Sequence, residues 1–262
     1  NIEKNANSIM PDNWSAWTAG SAYVSKIGDS INSSSQETDG QAVALGFDKK
    51  LSDSDFLGFA IQYGESDTDI GTNGTSIDSE TMNFSIYRTK PLDNNNFIET
   101  LLGVGLIESD LKRVHNSNVL TGTRDGTQIF GSINYGKTID KGDFNITPIG
   151  RLDLGYTKLD DYKESGINAL YYASQTIESG LASFGFEVSD NIQFNENKFQ
   201  PFGSLKFITD FSNKSDAKIN YVTDTSTIYT YTQETNSDHL INSMIGLTYI
   251  CLLYTSDAAD ES

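Results

Sequence analysis

Residues 41–64, QAVALGFDKKLSDSDFLGFAIQYG, limit what this chain can fold into more than any other stretch. Val43, Leu45 and Phe47 alternate with Ala44, Gly46 and Asp48, and Leu57, Phe59, Ile61 and Tyr63 alternate with Gly58, Ala60, Gln62 and Gly64. Successive side chains of a strand point to opposite faces, so this period of two predicts a hairpin with one apolar face and one small or polar face. The polar residues 51–55 supply the turn.

The pattern recurs down the chain and predicts eleven strands. A first candidate over residues 14–28 precedes the hairpin. Further strands are expected over 81–90 (Met82, Phe84 and Ile86 against Asn83, Ser85 and Tyr87), 98–106 (Ile98, Leu102, Val104 and Leu106 against Glu99, Gly103 and Gly105) and 126–139. Then come 144–157, a strand around 182–188, one around 204–211, one within 217–233 and a last over 240–250. Polar stretches 29–37, 65–78, 113–124 and 160–168 read as loops.

No apolar run approaches the ~18 residues a helical membrane span needs, which excludes a helical membrane protein. A transmembrane strand needs only about 9 to 11 residues with every second one apolar, so a membrane barrel remains open. A soluble β-sandwich or lipocalin-like barrel would show the same alternation. Strand length disfavours the sandwich, because globular strands usually run to about 5 or 6 residues. The polar face also carries Asp48, Glu99, Arg151, Asp153, Glu187, Lys206 and Asp210 well inside strands, which a water-filled lumen tolerates and a lipid face does not. Ala44, Gly46, Gly58, Ala60, Gly103, Gly105 and Gly185 on that face have two readings: room for a polypeptide segment in the lumen, or relief of curvature in the wall.

A formal charge of −18, from 36 acidic against 18 basic residues, would repel a phosphate backbone, so no nucleic acid partner is expected. One cysteine, Cys251, and two histidines, His115 and His239, leave no disulfide framework and no zinc site. Gly103-x-Gly105 lies mid-strand and lacks the third glycine of a dinucleotide loop. Asp67, Asp69, Asn73 and Asp78 loosely match a calcium loop but place Thr72 where the turn needs glycine, and read better as an acidic exposed loop. Asp238 and His239 could suggest a barrel hydrolase; counting strands puts them in a periplasmic turn, away from an outer rim. No catalytic, cofactor-binding or metal site residue and no cofactor is therefore assigned, and the chain is read as no enzyme.

Outer-membrane barrels have short periplasmic turns and longer outer loops. The connections after strands one, three, five and seven are long and those after two, four and six short, which puts the amino terminus in the periplasm. Eleven strands would leave the carboxyl end outside, and single-chain bacterial barrels have even numbers, so a closing twelfth strand is expected beyond what is present. Residues 251–262, CLLYTSDAADES, break the pattern and resemble a translated sequencing adapter. Three segments follow: 1–13 as the end of a linker or helix, 14–250 as an outer-membrane β-barrel domain, and 251–262 as a non-native tail.

Several degenerate motifs, in this order, resemble the β domain of autotransporters, the type V secretion proteins of Gram-negative bacteria. They are Trp14, Trp17 and Gly20 at spacing three; Ala-Leu-Gly-Phe-Asp at 44–48 with Leu-Gly-Phe-Ala at 57–60 and Tyr63-Gly64; Pro-Ile-Gly-Arg-Leu at 148–152 with Tyr156; Pro-Phe-Gly-Ser-Leu at 201–205; and Ile-Gly-Leu-Thr-Tyr at 245–249. The resemblance implies an all-β, antiparallel up-and-down transmembrane barrel of twelve strands, about eleven of them present, in the cell outer membrane. It further implies that the barrel anchors and helps export an N-terminal passenger domain, with outer-membrane lipid, the barrel-assembly machinery and its own passenger in cis as partners. The alternative is a porin-like or adhesive barrel acting through its own extracellular loops.

Overall fold

A computed structural model describes residues 11, 13–29, 34–142, 144–190, 192–194, 197–233 and 238–250. Residues 1–10 and the expected tail 251–262 lie outside this set. The strands are β1 (Trp14–Ile27), β2 (Gln36–Ser52), β3 (Asp55–Ile70), β4 (Thr75–Pro91), β5 (Asn96–His115), β6 (Asn118–Lys137), β7 (Ile139–Asp140), β8 (Asn145–Leu159), β9 (Tyr162–Lys163), β10 (Leu170–Tyr172), β11 (Gln175–Ser189), β12 (Ile192–Phe194), β13 (Asn197–Asp210), β14 (Ser215–Tyr221), β15 (Asp224–Gln233) and β16 (His239–Ile250). Every strand pairing is antiparallel.

One sheet of twelve elements forms a curled wall, running β1-β2-β3-β4-β5-β6-β8-β11-β13, with β16 on β13. Its short members β7 and β12 only extend the hairpin ends beside β8 and β13. Among the described residues the path is open, with β1 and β16 at its two edges. The up-and-down order is the one the resemblance implies, with one correction to the strands read from the alternation. The strand expected within 217–233 is not in the wall: β14 and β15 form a hairpin in a separate four-stranded sheet with β10 and β9, and β16 returns directly to β13. The wall therefore has ten long strands among the described residues, an even number that brings both ends to the same side. The turn between β14 and β15 is Val222 and Thr223, which carry none of the usual turn chemistry, so the sequence shows no break there.

A second correction concerns length. β3 and β4 run on through the stretch read as loop 65–78 to the turn at residues 71–74, and β5 and β6, 20 residues each, run through most of 113–124. The register shows why. Across β2, β3, β4, β5 and β6 the apolar face is built of aligned rows: Phe47-Phe59-Ile86-Leu102-Gly131, then Leu45-Ile61-Phe84-Val104-Ile129, then Val43-Tyr63-Met82-Leu106-Thr127. On one side of this band, at the short turns, the same face carries Lys49 and Arg88; on the other it turns abruptly acidic. The next two rows are Gln41-Glu65-Glu80-Glu108-Asp125 and Asp39-Asp67-Asp78-Asp110-Thr123. Glu80 to Arg88, at about 3.4 Å per residue, spans roughly 27 Å along the strand, or about 21 Å of height at a tilt of about 40°, close to the ~25 Å apolar band of an outer-membrane barrel. Beyond it the strands continue into water.

Trp14, Phe47 and Phe59 cluster at the basic margin, with ring centroids 6.3 Å (Trp14–Phe59) and 5.3 Å (Phe47–Phe59) apart and the Lys49 ammonium 5.9 Å from the Trp14 ring. Aromatic rings at a membrane boundary form such girdles. The apolar rows stay open to the surroundings: Ile61, Phe84 and Val104 are each about half exposed, and among the described residues the buried apolar ones are Ala60, Leu120, Tyr162 and Ala169. Among the described residues no dry interior takes up the oily rows, and the soluble sandwich reading fails on their exposure.

Candidate functional site

The polar face is the working surface, and its side chains form a hydrogen-bonded lining. Trp17 on β1 stands directly opposite Gly46, and Tyr87 on β4 directly opposite Gly58. A Cβ at either glycine would sit within the facing ring, and one at Gly103 would sit within Phe130. The rings lie flat over the bare backbone and reach each other: the Trp17 indole N–H donates to the Tyr87 oxygen at 2.7 Å, and the Tyr87 hydroxyl donates to Asp48. At Gly46, Gly58 and Gly103 the structure adds a third reading of the small residues. The space that glycine leaves is filled by the neighbouring strand's own side chain.

Gly105 does the same for amides. Asn83 of β4 and Gln128 of β6 flank it across β5, and the Gln128 amide donates to Asn83 Oδ1 at 2.7 Å over the glycine, while the Asn83 amide donates to Gln62 at 3.3 Å. Gly105→Val is expected to push the two amides apart and lower barrel stability by about 1–3 kcal/mol, the usual cost of overpacking, read as a fall in the urea midpoint of the folded barrel.

The charges expected on this face lie on it. Besides Asp48, Glu99 accepts from the Asn134 amide at 2.8 Å, and Arg151 holds Asp153 through both its Nε and a terminal nitrogen, at 2.6–2.9 Å. Glu187, Lys206 and Asp210 fall in register on the same face through Glu187↔Ser204, Gly185↔Lys206 and Leu181↔Asp210. Two other expectations change. Asp238 and His239 lie at the outer end of β16, not in a periplasmic turn. His239 stands opposite Thr209 and stacks on Phe207 at 5.5 Å, on the apolar face and away from the mouth. Asp67 and Asp78 oppose each other on paired strands, so the calcium-loop pattern has no loop to fold.

Sequence reasoning missed the most tightly built part of the polar face, at the outer mouth. The connection between β8 and β11, read as plain loop, carries β9 and β10 and folds onto the polar side of β5 and β6. Glu164, its side chain 3% exposed, takes both Arg113 Nε and a terminal nitrogen at 2.6–2.7 Å and the Leu170 backbone N–H at 2.9 Å. Arg113 also donates to the Asn168 carbonyl. Tyr162 and Tyr172 stack at 4.6 Å, and Arg124 lies over Tyr162 while donating to the carbonyls of Asp160 and Ala173. Leu120, 1% exposed, is buried beneath. Pairing with Glu164 raises the pKa of Arg113, burial lowers that of Arg124, and burial of the two phenols raises both of theirs. The residues involved are too scattered, from 113 to 172, to form a motif.

A single-layer antiparallel wall with an apolar band on one face, basic and aromatic residues at one margin, carboxylates at the other and a hydrogen-bonded polar lining is a transmembrane β-barrel wall of the outer-membrane type. The autotransporter β-domain family model matches residues 16–250, and the chain belongs to that family. Among solved structures it is similar to the translocator domain of the autotransporter NalP from Neisseria meningitidis, at 12% identity and TM-score 0.65, over 93% of this chain and 90% of that one. It is also similar to the β domain of the Bordetella autotransporter BrkA, at 14% identity and TM-score 0.63, over 91% and 96%. At these identities the likeness shows the fold alone. No curated protein matches.

Proposed function

We propose that this barrel, in the outer membrane, anchors an N-terminal passenger and helps carry it to the cell surface. The single observation that carries the reading is the wall's two-sidedness in a member of the autotransporter β-domain family: lipid-facing rows outside and a solvated lining that an unfolded polypeptide can traverse without burying its backbone dry. We further propose that outer-membrane lipid contacts the three apolar rows and that the barrel-assembly machinery inserts the domain. The lining residues hold one another in hydrogen bonds, which fits a transport wall without catalytic residues or a cofactor. Segment bounds follow the same reading, with 14–250 as the barrel, 1–13 as the end of its linker and 251–262 as a non-native tail.

An epitope placed before Trp14 in the full reading frame, expressed in a Gram-negative host, is expected to be shaved from intact cells by added protease. An epitope that stays protected while the barrel is folded, judged by its heat-modifiable mobility on a gel, would falsify export. Surface loops that act normally in a chain carrying no upstream region would favour the porin-like or adhesive alternative instead.

A further inference from the structure

The hairpin of β14 and β15 stands outside the wall, and β15 is an outer edge of the four-stranded sheet it belongs to. We propose that this edge joins two copies of the chain by antiparallel pairing of β15 with β15 across a two-fold axis at Thr230.

Residues 224–232 are all exposed, with Ile228 62%, Tyr229 53% and Tyr231 48% open. The strand is rich in β-branched and aromatic residues and carries no lysine or proline, the devices that usually blunt an edge. Its one irregularity is confined to the tip, where the register with β14 shifts beyond Tyr229 and Asp224 ties down Ser226 and Thr227. From Tyr229 to Thr232 the strand is in regular register with β14 and uncharged.

Charge and register select the partner. In a chain of net charge −18, whose outer wall presents aligned carboxylates, most approaches of one copy to another oppose like charges. This edge does not. With the axis at Thr230, that residue meets its own copy and Tyr229 of each chain stands opposite Tyr231 of the other. These are aromatic and β-branched cross-strand pairs of the kind that stabilise sheets. Backbone pairing adds the hydrogen bonds that an edge leaves open. Confinement in one membrane also raises the effective concentration of the second copy. None of this depends on passenger export.

The test uses the full-length chain in outer membranes, with Cys251→Ser as background and heat-modifiable mobility to confirm folding. Thr230→Cys under mild oxidation is expected to give a band at twice the monomer mass. Asp216→Cys, on the same hairpin but on β14, one strand in from the edge and behind Thr232, is expected to stay monomeric. Thr230→Lys, which places like charges together at the axis, is expected to shift the detergent-extracted barrel from dimer to monomer in sedimentation. If Thr230→Cys gives no more dimer than Asp216→Cys, or bonds instead to proteins of other mass, the self-pairing is wrong.

Discussion

Ile61→Arg is expected to destabilise the barrel by about 2–4 kcal/mol, while Gln62→Arg, one residue along the same strand, changes stability by only about 0.5 kcal/mol or less. Ile61 sits in the middle apolar row between Leu45 and Phe84, as far as any residue of the wall lies from water on that face. A guanidinium there meets hydrocarbon. Gln62 belongs to the hydrogen-bonded lining and is exposed, so an arginine in its place remains solvated at the cost of one 3.3 Å hydrogen bond from Asn83. Urea unfolding of the two variants in phospholipid vesicles separates them. A costly Gln62→Arg beside a tolerated Ile61→Arg would mean that the faces are reversed.

Glu164→Ala should loosen the mouth by about 3 kcal/mol, the low end of what breaking a buried ion pair costs, because the Arg113 side chain keeps a quarter of its surface in water. The substitution strips the guanidinium of its bidentate partner and frees the Leu170 N–H, so the segment holding β9 and β10 keeps the weaker 3.3 Å bond from Arg113 to the Asn168 carbonyl but loses its charged anchor on β5. The wall itself should keep its urea midpoint. Local opening is expected to appear as faster tryptic cleavage after Lys163 in intact membranes and as a larger single-channel conductance. Replacing both partners with apolar residues, Arg113→Met with Glu164→Leu, is expected to restore most of the closure, since a well-packed apolar pair avoids the desolvation that an ion pair suffers.

The sequence showed the wall wherever its two faces meet different solvents. Val43 to Phe47, Leu57 to Tyr63 and Met82 to Ile86 alternate because lipid lies on one side and water on the other, and the apolar faces read from them are the apolar faces found. The same strands became unreadable above the bilayer. Between Glu65 and Asp78 both faces are wet, so the period of two disappears while the backbone ladder continues, and a run of Ser, Thr, Asp and Gly looks like a loop. The mouth was hidden for a different reason: Arg113, Leu120, Glu164 and Tyr172 meet only after three strands and their connections are folded. The misplaced Asp238 and His239 follow from the hairpin. Reading β14 and β15 as one wall strand inverted the sense of everything after it.

The aligned acids above the apolar rows give the seated wall a head it cannot pull through the bilayer. Glu65, Glu80, Glu108 and Asp125, with Asp39, Asp67, Asp78 and Asp110 above them, would all have to enter hydrocarbon for the domain to slip back or turn over. Even at about 1 kcal/mol for each carboxylate, below the cost of Arg or Lys on a barrel's lipid face, the toll approaches roughly 8 kcal/mol. Orientation is thus fixed once, during insertion, and thermal motion does not revisit it.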